Sequence, residues 1–548
     1  MSAVTTSPPP TFPAHTMRPR LAPSAEVHSP ADGQGEWVLQ HGPRYVRITP
    51  HLAQLVQEFD GERDHETLAT RLGGGWNAER VSNAVLRLDD MRLLDDGKTA
   101  APPVAPRFVL VPPMTLQLTL LRPGRTMQAL RPLFALLFSR GAVAVAGLGI
   151  LLGMGAMAAQ WDAVRATLNS PLSAATFVGV LVALLIGVSI HELGHAAVLI
   201  RYGGRPSRIG VMLFYLMPAF FCDVSDAWRL PNRRQRVHTA LAGPAVQTSL
   251  AAASALAAWP LADGGAKTCL LFFAVSSYAT ALLNLMPFIK LDGYIALMSH
   301  VDIPYLRDRS MADARRWIAR LLFGGTYQRE LPTRWTIVYG LACLAFPLYL
   351  LGTALNTWLG TFQRVGWFGI LLAACGLSYA AWIVIRGALR LSAEVAEAGA
   401  RRSRVAAVCA LLAAAVATAA LFVPVRETVA AAYITDASGT TRLVLPQGDA
   451  AELVRPGQQV TLRTNGLILN DPVATAQVGQ APAQSVQVSV SAYFPLDMGD
   501  TVGLDSAAFP LNLDRTPVPA AGTAEVEVSH VPLWKSLHHT YVLPFWPF

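Results

Sequence analysis

The sequence predicts a mainly α, polytopic membrane helix bundle of about seven spans, with a small α+β domain at its N-terminus and an outward-facing all-β domain at its C-terminus. Three observations carry that expectation. Of the 548 residues, 52% are hydrophobic and only 15% charged, outside the usual composition of a soluble protein. The apolar residues gather into runs of membrane length. Both ends of the chain abandon that pattern: residues 36–97 mix short strand-like and helix-like periodicities, and the segment after 425 alternates between Gly/Pro turns.

The start, residues 1–34, is rich in Pro and Ser and is expected to be a disordered tail. It has no charged n-region, apolar core and small-residue cleavage site, so the N-terminus is expected to stay in the cytoplasm. Residues 35–98 form the next expected domain. Trp37, Val38 and Leu39, then Tyr45, Val46 and Ile48, suit a hairpin. Leu52, Leu55, Val56 and Phe59 recur at helical spacing, as do Val81, Val85, Leu86 and Leu88. Asp60-Gly61 reads as a turn and Leu93-Leu94-Asp95-Asp96-Gly97 as a wing-like exit. That is a winged-helix layout, yet the segment is net acidic, which argues against a phosphate-tracking surface and hence against nucleic acid. Its pattern YVRIT…LAQLVQEFDGERDHETLATRL…LDDMRLLDDG resembles the PqqD-like domains. The resemblance implies docking of the leader of a ribosomally made, modified peptide as an added strand on a sheet edge. A packing or assembly domain with no peptide ligand is the alternative.

Residues 99–140 carry Pro102, Pro103, Pro112, Pro113 and several Arg, and read as a linker and membrane-surface stretch. The core, 141–424, holds seven apolar runs near 141–160, 174–199, 238–259, 267–287, 335–356, 366–386 and 404–424, each long enough to cross a hydrocarbon layer of about 30 Å. Arg201, Arg205, Arg208, Arg229, Arg233, Arg234 and Arg236 crowd the loop after the second run, and Arg401, Arg402 and Arg404 precede the seventh. WDAVRATLNSP and PLADGGAK are almost without basic residues. The positive-inside bias therefore puts the arginine-rich loops in the cytoplasm and residues 425–548 outside the plasma membrane. It also accounts for the net charge of +8 without nucleic acid. All five cysteines lie in or beside the runs with no CxxC, so neither a disulfide framework nor a cysteine metal site is expected. Within the β-domain, LVRPGQQVTL (453–462) resembles the barrel-sandwich segment of haemolysin-secretion adaptor proteins.

The chemistry gathers at HELGH, 191–195, at the end of one of the most apolar runs. On a helix, His191 and His195 face the same way and can meet one cation about 2 Å from each ring nitrogen. Glu192 stands beside them as a general base or acid for a water whose pKa zinc lowers to about 7. A chance match is the bland reading. It weakens inside a span, where ionisable groups are costly and mark function by default. Catalytic zinc takes a third protein ligand and keeps a position open. The candidate is Asp292 in NLMPFIKLDGY (284–294), where Pro287 breaks the helix and Gly293 allows the turn that aims a carboxylate back into the bundle.

HELGH together with NLMPFIKLDGY is similar to the site-2 protease family of intramembrane zinc metallopeptidases, over roughly residues 170–300. The resemblance implies one Zn2+ per chain held by His191, His195 and Asp292, with Glu192 as catalytic acid/base. Asn284 is then a substrate or transition-state contact, or a brace for the Pro287 break. LAGPAVQ (241–247) resembles the family's AGP segment, with Gln247 where many members carry Asn. Tyr294 replaces the glycine usual in regulatory members. LDGYIALMSHVDIPYLRDRS and LFYLMPAFFCDVSDAWRLP look closer to the peptide zinc metalloproteases of bacterial peptide-biosynthesis clusters.

The apolar, interrupted segment 206–224 reads as a re-entrant strand holding an extended substrate, or as a packing loop. Asp223, Asp226 and His238 are expected to be solvated loop residues. The function expected is an intramembrane zinc endopeptidase that cuts a precursor or leader peptide, with the bilayer and peptide-modifying enzymes or an exporter as further partners. The alternatives are regulated intramembrane proteolysis of a membrane-anchored signalling protein, and a non-catalytic exporter or immunity protein with a structural metal.

Overall fold

The computed structural model describes residues 14–541 apart from 24, 30–36, 42–43, 97–106, 112–114, 215–216, 231, 365–366, 437, 448, 498, 500–502 and 516–517. The expected tail before residue 14, the wing residue Gly97 and the linker prolines Pro102, Pro103, Pro112 and Pro113 lie outside the described residues. The chain forms two compact units, one of Met1–Ala146, Leu185–Gln247 and Ile295–Asp302, the other of Gly147–Leu184, Thr248–Tyr294 and Ile303–Phe548.

The first unit opens with α1 (Ala14–Met17), β1 (Ala25–His28), β2 (Trp37–His41), β3 (Arg44–Ile48), α2 (Pro50–Gln57), α3 (His65–Leu72) and α4 (Ala78–Asp90). The strands make an antiparallel sheet in the order β1-β2-β3. Each helix starts where its sequence supplies a cap: Thr49, Asp64 and Asn77 accept the N–H of Leu52, Thr67 and Arg80 at 3.3, 2.9 and 2.8 Å, which satisfies otherwise orphaned donors. Leu39, Leu55, Leu68, Val81, Val85 and Leu88 fill one core, each aliphatic side chain contributing about 1.5–3 kcal/mol by leaving water. Two expectations are corrected here. Part of the tail is folded: β1 pairs with β2, and Thr16 and Ala22 are buried. The wing-like exit is not a wing, because Leu93 and Leu94 are buried and pair with Arg20–Ala22. The Pro-rich opening hid a strand of only four residues, too short to show an alternation of its own.

The middle of the chain runs β4 (Phe108–Val111), β5 (Thr115–Leu121), α5 (Gly124–Ala129), α6 (Arg131–Leu137), α7 (Arg140–Ala159), α8 (Trp161–Asn169), β6 (Leu172–Ser173), α9 (Ala174–Arg201), β7 (Ile209–Phe214), β8 (Met217–Cys222), α10 (Arg233–Ala258), α11 (Gly265–Leu285), α12 (Asp292–Val301), α13 (Leu306–Phe323), α14 (Trp335–Arg364), α15 (Trp367–Glu397) and α16 (Arg402–Phe422). Seven of these helices are long and apolar enough to cross a membrane, within α7, α9, α10, α11, α14, α15 and α16, matching the seven runs read from the sequence. The expected linker is corrected: its residues supply β4 and β5, which join β7 and β8 in an antiparallel sheet of order β4-β5-β7-β8. β5 pairs with the adjacent β4 and, on its other edge, with β7 some ninety residues downstream, a pairing that no local pattern announces. Within the second unit, helix crossings depend on small residues. A Cβ on Gly153 would come within 2.4 Å of Ala252 Cα, and one on Gly340 within 2.0 Å of the Ser310 carbonyl, the close backbone approach that packs helices in lipid.

The C-terminal region contains β9 (Pro424–Thr435), β10 (Thr441–Pro446), α17 (Asp449–Glu452), β11 (Gln459–Arg463), β12 (Pro472–Val478), β13 (Gln484–Ser489), β14 (Leu496–Asp497), β15 (Gly503–Leu513), β16 (Ala521–Pro532) and α18 (Leu533–Tyr541). The order β10-β9-β16-β11-β12-β15 closes through a β10–β15 pairing, and β13 adds to β15, giving a barrel filled by Tyr433, Leu443, Leu445, Leu462 and Val526. LVRPGQQVTL supplies the turn into β11 and most of that strand. The barrel sits against the loop between α8 and α9: β14 pairs with β6, and Arg165 Nε donates to Asp471 at 2.8 Å. That bond, with the Asn169 amide, outweighs burial and holds the Asp471 carboxyl below the usual carboxylate range.

Candidate metal centre

The HELGH residues occupy the last third of α9, where the environment changes. Leu181, Val182 and Ile186 are exposed, whereas Ala196 to Ile200 are buried without interruption, so this end of the helix is sheathed by protein on all sides. Within the sheath the helical register brings His191 and His195 onto one face, both buried, their Nε2 atoms 3.2 Å apart and their ring planes at 80°. Two ligands of a tetrahedral ion with bonds of 2.0–2.1 Å stand about 3.3 Å apart, so the spacing of the two nitrogens suits a single cation. The His195 Nδ1 lies 2.7 Å from the Thr239 carbonyl of α10. A carbonyl only accepts, so Nδ1 carries the proton and the Nε2 lone pair faces the centre.

The third ligand comes from a break in the helical order. α11 ends at Leu285 with Met286 extended at ψ 122°, Pro287 denies the next turn a donor, and α12 restarts at Asp292. The freed carbonyls find partners: Tyr339 Oη donates to Pro287 O at 2.6 Å and Arg307 Nε to Phe288 O at 3.0 Å. Gly293 is required by contact rather than by φ, because a Cβ there would lie 2.1 Å from the Leu285 carbonyl. Asp292 thus sits in the first turn of α12, where the helix dipole favours a carboxylate. One ligand atom each from His191, His195 and Asp292 lies within 4.8 Å of the others. The donor set, two imidazoles and one carboxylate, is of a kind that zinc accepts.

Glu192 is half-buried beside the cluster, and its Oε2 accepts the backbone N–H of Cys222 at 2.8 Å. That bond locates the segment 206–224. It is the hairpin β7–β8, with Ile209 opposite Cys222. Its last strand returns nine residues, about 13 Å along the helix, from Arg201. β8 is an edge strand. The neighbouring Asp223 N–H is paired inward with the Arg208 carbonyl, so by alternation Cys222 and Phe220 turn their backbone groups outward, on the side where Glu192 lies. Burial, then the Glu192 charge, pushes the Cys222 thiol up, which keeps it neutral and unsuited to act as a thiolate ligand.

Three residues that the sequence did not mark as part of the site belong to it: Thr239, Cys222 and Gly243. A Cβ on Gly243 would stand 2.2 Å from His195 Nε2 and 2.6 Å from His191 Nε2, so only glycine leaves this wall of the centre open. The AGP segment was its signal. Asn284 is half-buried in the last turn of α11, just before the break. The expectation for the loop acids is corrected. Asp226 is buried, accepting from the Arg205 N–H at 2.7 Å and pairing with Arg229 at 3.0 Å. Burial disfavours the Asp223 charge, but the Ser225 and Ser207 hydroxyls and Arg208 hold its carboxyl below the usual range. Both acids knit the loop together. His238 alone is exposed as expected, its Nδ1 2.7 Å from Tyr202 Oη.

No family model matches the chain, and neither do curated proteins or solved structures.

Proposed function

We propose that the protein is an intramembrane zinc endopeptidase of the site-2 protease type that cuts a precursor or leader peptide. The observation that carries this reading is the cluster of His191, His195 and Asp292 with the Glu192 carboxylate held at the outward edge of β8. Zinc bound to the three ligands would supply Lewis acidity to a water and to the scissile carbonyl. The chain's own part is as follows. An extended peptide pairs with the backbone groups of Phe220 and Cys222 as an added strand, which exposes carbonyls that a helix would hide. Glu192 Oε2 exchanges its Cys222 partner for the water, takes a proton from it and returns that proton to the leaving nitrogen. In this reading Asn284 donates to the developing oxyanion or braces the Pro287 break.

The arginines after α9 and before α16 support a cytoplasmic N-terminus and a C-terminal barrel outside the plasma membrane. The acidic N-terminal domain, whose β3 is an edge strand, is the proposed dock for the leader, which favours peptide maturation over cleavage of a signalling protein. The test is processing of a precursor peptide by the wild type and by Glu192→Gln. Cleavage falls at least about a thousandfold in the variant while bound zinc is unchanged. Unchanged cleavage with zinc in place would overturn the assignment and leave the metal a structural role.

A further inference from the structure

The start of α16 presents an electrostatic arrangement that helix stability alone disfavours. Arg401, Arg402 and Arg404 crowd the positive pole of a 21-residue helix that has no acid in its first turn and no side-chain cap, where the macrodipole favours anions. The positive-inside bias explains why arginines occur here but not their arrangement. Arg401, Ser403 and Arg404 line a cleft of about 620 Å³ with Gly324, Gly325 and Gly399, and no acidic residue lines it. Arg404 is fixed there, its Nε and Nη2 donating to the carbonyls of Leu322 and Leu321 at 2.9 and 3.1 Å, so its guanidinium is held rather than waving in solvent.

We propose that this cleft binds the phosphoryl group of an anionic lipid headgroup. Arg401, the Ser403 hydroxyl and the first N–H groups of α16 supply the donors, and Arg404 supplies fixed charge. The level is right for a lipid: at 1.5 Å per residue, α16 spans about 32 Å, the thickness of a hydrocarbon core. Its first turn therefore lies at the headgroup layer. The volume falls in the range of small-ligand pockets, larger than a bare phosphate needs.

The full-length protein is reconstituted in phosphatidylcholine doped with phosphatidylglycerol, and retained lipid is read by native mass spectrometry. The wild type retains phosphatidylglycerol selectively. Arg401→Glu lowers that retention about tenfold and Ser403→Ala about threefold, the loss of one charge-assisted and one neutral hydrogen bond. Arg402→Glu, the same charge change one residue on but outside the cleft lining, lowers it less than about twofold. Excess inorganic phosphate leaves the lipid in place. Equal losses for Arg401→Glu and Arg402→Glu would reduce the effect to general surface charge and overturn the proposal. So would the absence of selectivity in the wild type, and so would displacement by phosphate, which would make the cleft a site for the free ion. If Arg401→Glu does not elute as a monodisperse species, Ser403→Ala and Arg401→Gln carry the comparison.

Discussion

Two membrane-length helices, α10 and α16, stand at opposite ends of one scale. Half of the most apolar window of α10 is buried within the protein, while none of that of α16 is. Yet α10 is the least apolar of the seven and α16 the most. In water the ranking would be reversed. In lipid the apolar surface faces outward, and the protein's interior is where polar groups are allowed to be. α10 uses that allowance. Thr239, Gln247 and Ser254 are buried along it, its Thr239 carbonyl orients the His195 ring, and its buried Arg236 meets Asp302 at 2.8 Å. A helix that carries buried polar groups, such as α10, is therefore a poorer hydropathy signal than one exposed along its most apolar window, such as α16.

The contrast can be broken most sharply at Gly243. Gly243→Ala should leave α10 helical, since alanine favours helix by about 1 kcal/mol over glycine, but its methyl group would collide with both ligand rings. The expected outcome is loss of stoichiometric metal and a fall in cleavage of about a hundredfold or more, read by elemental analysis and peptide processing. Full metal content in Gly243→Ala would mean that the imidazole nitrogens do not line the site.

Away from the metal, Gly153→Ala places a methyl group against Ala252 of α10 and should cost about 1–3 kcal/mol by overpacking, measured as thermal unfolding in detergent. Its counterpart on α16 is Leu411→Ala, at an exposed position, with an expected change within about 0.5 kcal/mol. Equal effects at the two sites would erase the distinction between a packed helix and an exposed one.

Much of the architecture was legible because membrane spans and amphipathic helices are local patterns. The positions of α7, α9, α10, α11, α14, α15 and α16 follow from run length, whereas α8, read as a loop, and α13 do not; the His191–Glu192–His195 array follows from 3.6-residue periodicity alone. Asp292 was legible through a local irregularity, Pro287 followed by LDG, although its distance from the histidines is a property of the fold. What stayed hidden depends on partners far along the chain. β4 and β5 were read as linker because β7 lies about ninety residues away. β1 was read as tail because its signal is four residues long. Asp226 was read as solvated because its partners, the Arg205 amide and the Arg229 guanidinium, bury it only once the loop closes. Gly243 was seen as a motif letter, and its reason, the space the two imidazoles occupy, exists only in three dimensions.

The central claim is that His191, His195 and Asp292 grip one cation while Glu192 stays outside the ligand set. The direct test is metal content, with X-ray absorption at the zinc edge, of the purified full chain and of the variants His191→Ala, Asp292→Ala and Glu192→Gln. The account predicts one zinc per chain with a light-atom shell near 2.0–2.1 Å containing imidazole, its loss in the first two variants and its retention in the third. A wild-type protein without bound zinc, or zinc that survives both ligand substitutions, would contradict it.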